Sequence, residues 1–173
     1  AGTVKAEVPG KGETVELKAS RDETLSALVF KTMADPFVGK LTLFRVYSGV
    51  VKSDSHFFNS SRNQEERIGQ LFLIKGKNQI PVTEVGAGDI GAVAKLQVTA
   101  TGDTLCTKDR PVVLPGIDFP KPRLVMAVYP KGKSDEEKIS SGLYRLVEED
   151  PTITVEKDTT TKELILAGLG DLH

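Results

Sequence analysis

Residues 32–55 read TMADPFVGKLTLFRVYSGVVKSDS. The Gly39-Lys40 pair inside this stretch has two readings, a phosphate-binding loop or the entry to a β-strand. A phosphate loop needs two glycines five residues apart, then Lys, then Ser or Thr, so that backbone N–H groups close around phosphate oxygens and a hydroxyl holds Mg²⁺. Ala34 stands where the first glycine belongs and Leu41 where the hydroxyl belongs, and no other stretch repairs the pattern. The strand reading fits. Leu41, Leu43, Arg45 and Tyr47 fall on one side and Thr42, Phe44 and Val46 on the other, the period of two that a strand imposes. Apolar residues on both sides suit a barrel strand with one face in the core and the other partly covered. Gly39 ends a DPF turn, and Gly49 permits a tight reversal into VVKS.

On the N-terminal side, LSALVFKTM reads as a strand before this one. SHFFNSS follows as a short strand. ERIGQLFLIKGKNQIPVTEV reads as a strand, a glycine-containing loop and another strand. GAGDIGAVAKL gives a turn and a strand, TATGDTLCT a turn and an edge strand, and RPVVL closes the run. Short strands separated by turns, without a helical period over about 90 residues, predict an antiparallel β-barrel or sandwich. Closure into a barrel over residues 24–118 removes the edges that a small all-β domain must otherwise protect. Residues 1–23 are polar with no strong period and read as a linker or tail, with a short extended piece around Thr14–Lys18.

At PGIDFPKPR the pattern changes. Pro115, Pro120 and Pro122 break secondary structure and stiffen a connection, so a domain boundary falls here. RLVMAVYP reads as a strand and SDEEKISSGLYRLVEEDP as a helix. Ser134 with Glu137 forms a capping box, Asp135 and Glu136 suit the positive end of the helix dipole, and Ile139, Leu143, Leu146 and Val147 make one apolar stripe. Gly142 lies mid-helix at a cost of about 1 kcal/mol relative to Ala, and Pro151 stops the helix. TITVEKD and KELILAG then form a hairpin. The order β-α-β-β is the first part of a split β-α-β, ferredoxin-like module. Its absent helix and strand make residues 119–173 a partial domain and the chain, on this reading, an excised piece of a longer one.

The 173 residues are 39% hydrophobic and 27% charged with a net charge of −1, ordinary for a globular chain and without the overall basic excess of a polyanion binder. Cys106 is the single cysteine. It excludes an intrachain disulfide, reads as a small buried hydrophobe, and fits a reducing, cytoplasmic setting. No apolar run approaches the roughly 18 residues of a membrane span. His56 and His173 have no neighbours at metal-ligand spacing, and His56 reads as a surface residue on a strand. Glu148, Glu149 and Asp150 read as a solvated helix end, with Asp150 at the exit before Pro151. No nucleophile–base set can be named, so the chain is expected to carry no catalytic, cofactor or metal residues.

DPFVGKLTLFRVYSG and TGDTLC resemble domain II of the bacterial elongation factor G family, and FPKP, EEDPT and GLGDLH resemble its domain III. The resemblance covers residues 24–173. It implies a piece of a translational GTPase that moves tRNA and mRNA through the ribosome. The barrel would rest on small-subunit ribosomal RNA and ribosomal proteins, and domain III would relay the nucleotide state. GTP and Mg²⁺ would belong to an upstream G domain, so the stretch itself would bind no nucleotide. Carried over motif by motif, the family's G-domain interface and fusidic acid pocket fall on Pro120, Asp150, Thr152, Leu172 and His173. Arg45, Lys52, Arg62, Arg67, Lys75 and Lys77 become candidate rRNA contacts. The family's main members have a histidine–asparagine segment where this chain has FLIKGKNQIPV, and Glu where it has Asp171. The N-terminal stretch also departs. These differences point to a paralogue of the main translocase. The residues by themselves leave another reading open, a free-standing oligonucleotide-binding barrel with an appended α/β unit. Seven Phe and three Tyr with no Trp offer that reading no evident stacking groove.

Overall fold

The computed structural model describes residues 2–173, apart from the side chain of Lys133. In chain order the first unit contains β1 (Thr3–Val8), β2 (Glu13–Lys18), β3 (Ser26–Asp35), β4 (Gly39–Ser48), β5 (Val50–Lys52), β6 (Ser55–Asn59), β7 (Gln64–Ile68), β8 (Leu71–Lys75), β9 (Asn78–Val82), β10 (Glu84–Gly86), β11 (Ile90–Ala94) and β12 (Thr104–Cys106). The second contains β13 (Leu124–Val128), a 3-10 turn at Lys133–Asp135, α1 (Glu136–Glu149), β14 (Thr154–Lys157) and β15 (Leu164–Gly168). The division falls between Ile117 and Asp118.

In the first unit eight strands hydrogen-bond in the order β7-β6-β12-β3-β4-β11-β8-β9, with β5 and β10 paired separately. Every pairing is antiparallel. Ile68 of β7 and Leu71 of β8 lie far apart in that order yet share one core with Val29, Phe44, Val46, Val51, Val85 and Leu105. The sheet therefore closes on itself as a barrel, helped by Ser53 N–H to Thr83 O at 2.9 Å and Asp54 N–H to Gly69 O at 3.1 Å. The two-sided pattern of β4 is resolved as expected. Phe44 and Val46 fill the barrel, while Leu41 and Leu43 pack outside it against Phe72 and Ala92. An extra residue at Phe30 shifts the β3–β4 register between Val29 and Lys31, bending the ladder as a bulge does. Gly49 has φ +74°, and a Cβ there would lie 2.7 Å from Leu25 Cα, so the reversal accepts no side chain.

Several expectations for the first unit are corrected. Of the expected linker or tail over residues 1–23, Ala1 lies outside the described residues, and the rest holds a β-hairpin. β1 and β2 pair from Thr3↔Lys18 to Val8↔Glu13, and Ala6 and Leu17 pack against Leu28, Cys106, Val112 and Leu114. The hairpin's apolar face is small and is stabilised by residues far along the chain. RPVVL supplies no strand of the barrel sheet. Val113 instead bridges Glu7 through two backbone hydrogen bonds of 2.8 Å. Finally, β12 is not an edge strand, because it lies between β6 and β3. The stretch from Glu66 to Val85 also divides further than its loop signal indicated, breaking at Gly69 and again at Thr83.

A polar network braces the segment between β11 and β12. The Glu66 carboxylate accepts from the backbone N–H groups of Gln97, Val98 and Thr99 at 2.6, 3.1 and 2.9 Å, and from the Thr99 hydroxyl at 2.5 Å. Buried Asn59 donates to Thr99 Oγ1 and to Asp103 Oδ2. Burial opposes ionisation of Glu66, but the hydrogen bonds outweigh it and hold its pKa below the usual value.

In the second unit the sheet order is β13-β15-β14, with β15 antiparallel to both neighbours. β13 and β14 are thus parallel around an inserted strand, the split β-α-β arrangement of a partial ferredoxin-like module. The expected capping box is absent. Ser134 sits in the 3-10 turn, Asp135 occupies the N-cap, and no side chain caps the helix. The entry is tightened instead by a 3-10 turn, in which Asp135 N–H donates to Gly132 O at 3.0 Å. Ile139, Leu143 and Val147 are half-buried, Leu146 is 47% exposed, and no residue of α1 is fully buried.

Candidate functional site

The exit of α1 is built around Asp150. Its N–H donates to Leu146 O at 2.8 Å, and Pro151, lacking an N–H, ends the helix. The freed carboxylate folds back on the chain. Oδ1 accepts from Thr152 N–H at 2.9 Å and from the Thr152 hydroxyl at 2.5 Å, while Oδ2 lies 2.8 Å from His173 Nε2. The Thr152 hydroxyl is also 3.4 Å from His173 Nε2. The Thr152 hydroxyl above all, then its N–H and the His173 ring, hold the Asp150 carboxyl below the usual range against the opposing effect of burial.

His173 arrives from the turn after β15. Its N–H donates to Gly170 O at 3.1 Å, and its Nδ1 accepts from Leu169 N–H at 3.0 Å. Because Nδ1 accepts, Nε2 carries the hydrogen and donates it to Asp150. Gly168 makes room for this, since a Cβ there would meet His173 Nδ1 at 3.0 Å. An apolar groove of about 160 Å³ adjoins the ring, walled by Leu124, Met126, Leu146 and Leu166.

Of the five residues expected at this interface, Asp150, Thr152 and His173 converge. Thr152 is 8% exposed, the single buried residue of the second unit among those described. Leu172 projects into solvent, and Pro120 lies exposed in the lead to β13. The Leu169 amide and Gly168, which orient the histidine ring, were not singled out from the sequence. The closely spaced glycines of AGLGDLH were the available signal.

The six basic candidates are spread over the barrel. Arg45 lies exposed on β4 over the Tyr47 ring at 5.5 Å. Lys52 ends β5. Arg62 donates to Asp103 at 2.5 Å and Arg67 lies 3.6 Å from Asp54. Lys75 and Lys77 stand exposed at the β8–β9 turn. His56 is exposed on β6, and Cys106 is fully buried with its thiol donating to Phe58 O at 3.4 Å. Among the described residues no group of three His, Cys, Asp or Glu side chains could hold a metal ion, and no helix is long and apolar enough to cross a membrane.

A closed antiparallel barrel followed by a partial split β-α-β module, with a hydrogen-bonded Asp–Thr–His cluster at the helix exit, defines a two-module chain of the translation-factor type. Residues 24–108 match the family Elongation factor G domain 2, and residues 119–173 match Elongation Factor G, domain III. The chain belongs to the elongation factor G family and carries its domains II and III. It is similar to a solved crystal structure of a protein from Thermus thermophilus, with 32% identity and a TM-score of 0.74 over 87% of this chain and 23% of that one.

Proposed function

We propose that this chain is the docking and relay portion of an elongation factor G-like GTPase acting in ribosomal translocation. The barrel rests on small-subunit rRNA and ribosomal proteins, and the α/β unit passes the nucleotide state of an upstream G domain to the rest of the factor. GTP and Mg²⁺ belong to that G domain, and the whole acts in the cytoplasm. The departures at FLIKGKNQIPV and Asp171 favour a paralogue over the main translocase.

The observation that carries this reading is the Asp150–Thr152–His173 cluster. It ties three pieces of chain, the end of α1, the turn that leads to β14 and the turn after β15, through bonds of 2.5–2.9 Å. A displacement of the turn is therefore felt at the end of a 14-residue helix, which moves as a rod rather than deforming. Pro120, Leu172 and the exposed edge of His173 would meet the G domain, and the adjoining groove is the counterpart of the family's fusidic acid pocket.

The test is sedimentation of the chain with bacterial small ribosomal subunits, beside calorimetry with GTP and Mg²⁺. Binding that is marginal at physiological salt and stronger at low salt is expected, because phosphate contacts weaken steeply with salt. No heat of GTP binding is expected. Micromolar affinity for GTP, or no sedimentation at any salt, overturns the reading.

A further inference from the structure

The β1–β2 hairpin stands apart from the eight-stranded sheet as a sheet of its own, and a lone two-stranded hairpin is marginally stable in water. It lies over the outside of the barrel. On β12, Leu105 fills the barrel core while its neighbour Cys106 points outward, into the cluster of Ala6, Leu17, Leu28, Val112 and Leu114. The hairpin gives that cluster two buried side chains, Ala6 and Leu17, with Val4 and Val15 half-buried beside them. Its base is pinned, because Gly49 N–H donates to Ser20 O at 2.8 Å and the Ser48 hydroxyl donates to Thr24 O at 2.6 Å. Its far end is held by Glu7 and Val113, which exchange two backbone hydrogen bonds of 2.8 Å. Val112–Leu114 is thus tied to the hairpin through its backbone. The barrel holds it through side chains, with Ser60 Oγ donating to Val112 O at 2.5 Å and Thr104 Oγ1 accepting from Leu114 N–H at 3.0 Å. Pro115 has no N–H with which to extend the pairing along β1.

We propose that the hairpin is a clasp that opens as a unit about its base at Ser20, and that its opening releases Val112–Leu114 and so lengthens the proline-rich connection to the second unit. The inference stands on the packing of the first unit and is independent of the ribosome-docking reading. Val112 and Leu114 share their apolar cover with Ala6 and Leu17, so that cover leaves with the hairpin. The two Glu7–Val113 bonds break in the same step. A part with few buried apolar contacts opens at a lower free energy than the core it lies on, and the barrel core contains no residue of the hairpin. Cys106, fully buried while the clasp is shut, reports the opening through its thiol.

The experiment times maleimide labelling of Cys106 in the whole chain at rising urea, beside hydrogen exchange of the Val113, Leu114, Val29 and Phe44 amides. Leu17→Ala and Leu17→Met are compared with the wild type. Labelling and the exchange of Val113 and Leu114 are expected to rise together, with a urea slope well below that of global unfolding, because a small unit exposes little surface when it opens. Leu17→Ala should speed all three about a hundredfold and leave Val29 and Phe44 unchanged. Leu17→Met should stay close to the wild type. Labelling and Val113 exchange that follow the urea slope of global unfolding, in the wild type alone, overturn the clasp. Val29 and Phe44 amides that exchange as fast as Val113 overturn it as well. Fast labelling with Val113 and Leu114 still protected overturns the release of the connection.

Discussion

Phe44 and Leu166 each sit on a strand hydrogen-bonded on both sides, in an antiparallel sheet. Phe44 is wholly buried and Leu166 only half-buried. The difference lies in what faces each strand. In the closed barrel a side chain pointing inward meets residues from strands across the lumen, and every buried hydrophobic residue among those described belongs to the first unit. In the open three-stranded sheet one helix faces one side. Val125, on the opposite side by alternation from Leu124 and Met126, is 63% exposed. Equal hydrophobicity therefore stabilises the two units unequally, because the gain follows area removed from water rather than residue type.

Three sets of measurements test this contrast. Phe44→Ala should destabilise the barrel by about 3–5 kcal/mol, whereas Met126→Ala, at a half-exposed site, should shift the second unit by less than about 1 kcal/mol. Denaturant unfolding of the whole chain, with hydrogen exchange to separate the units, reads both. Amides of residues 123–173 should exchange faster than those of residues 26–106, and uniform slow exchange in a monomer would remove the contrast.

Next in size is Glu66→Ala. It strands the N–H groups of Val98 and Thr99 in partly buried positions and frees that of exposed Gln97 to water, at a cost of about 1–3 kcal/mol. Exchange protection should fall across residues 97–103 while the second unit stays unchanged.

The smallest effect belongs to Asp150→Asn, below about 1 kcal/mol because the carboxylate is partly solvated. Its pH dependence has a definite sign. The folded-state pKa of Asp150 is lowered, so the unfolded chain takes up the proton first as pH falls. The stabilisation is fully present above the ordinary aspartate value of about 4 and is lost as pH falls through the lower folded value. The gap between wild type and Asp150→Asn should close over that acid window, and a gap independent of pH would remove the carboxylate from the cluster's energetics.

Much of the fold was legible. The alternation in LTLFRV, the turn at Gly49, the proline-rich boundary and the helix stop at Pro151 are local signals with local causes. The N-terminal hairpin was not legible, because Ala6 and Leu17 become a core only against Leu28, Cys106, Val112 and Leu114. The capping residue was misread because Ser134 and Asp135 compete for a helix entry within one turn, and i→i+3 bonding decided between them. Of the candidate site, Asp150 and Thr152 were marked by their motif, but the orientation of His173 depends on the Leu169 amide and the space at Gly168.

Local sequence was enough for the strand period, the breaks between elements and the family motifs, all of which act over a few residues. It took the folded chain to make β12 interior, to bring Glu66 to three amides more than thirty residues away, to join Asp150 to His173, and to fasten Gln79 to Asp35. Each of these depends on which strands become neighbours. That choice is made by the summed burial of the closed core, and no single stretch of chain encodes it.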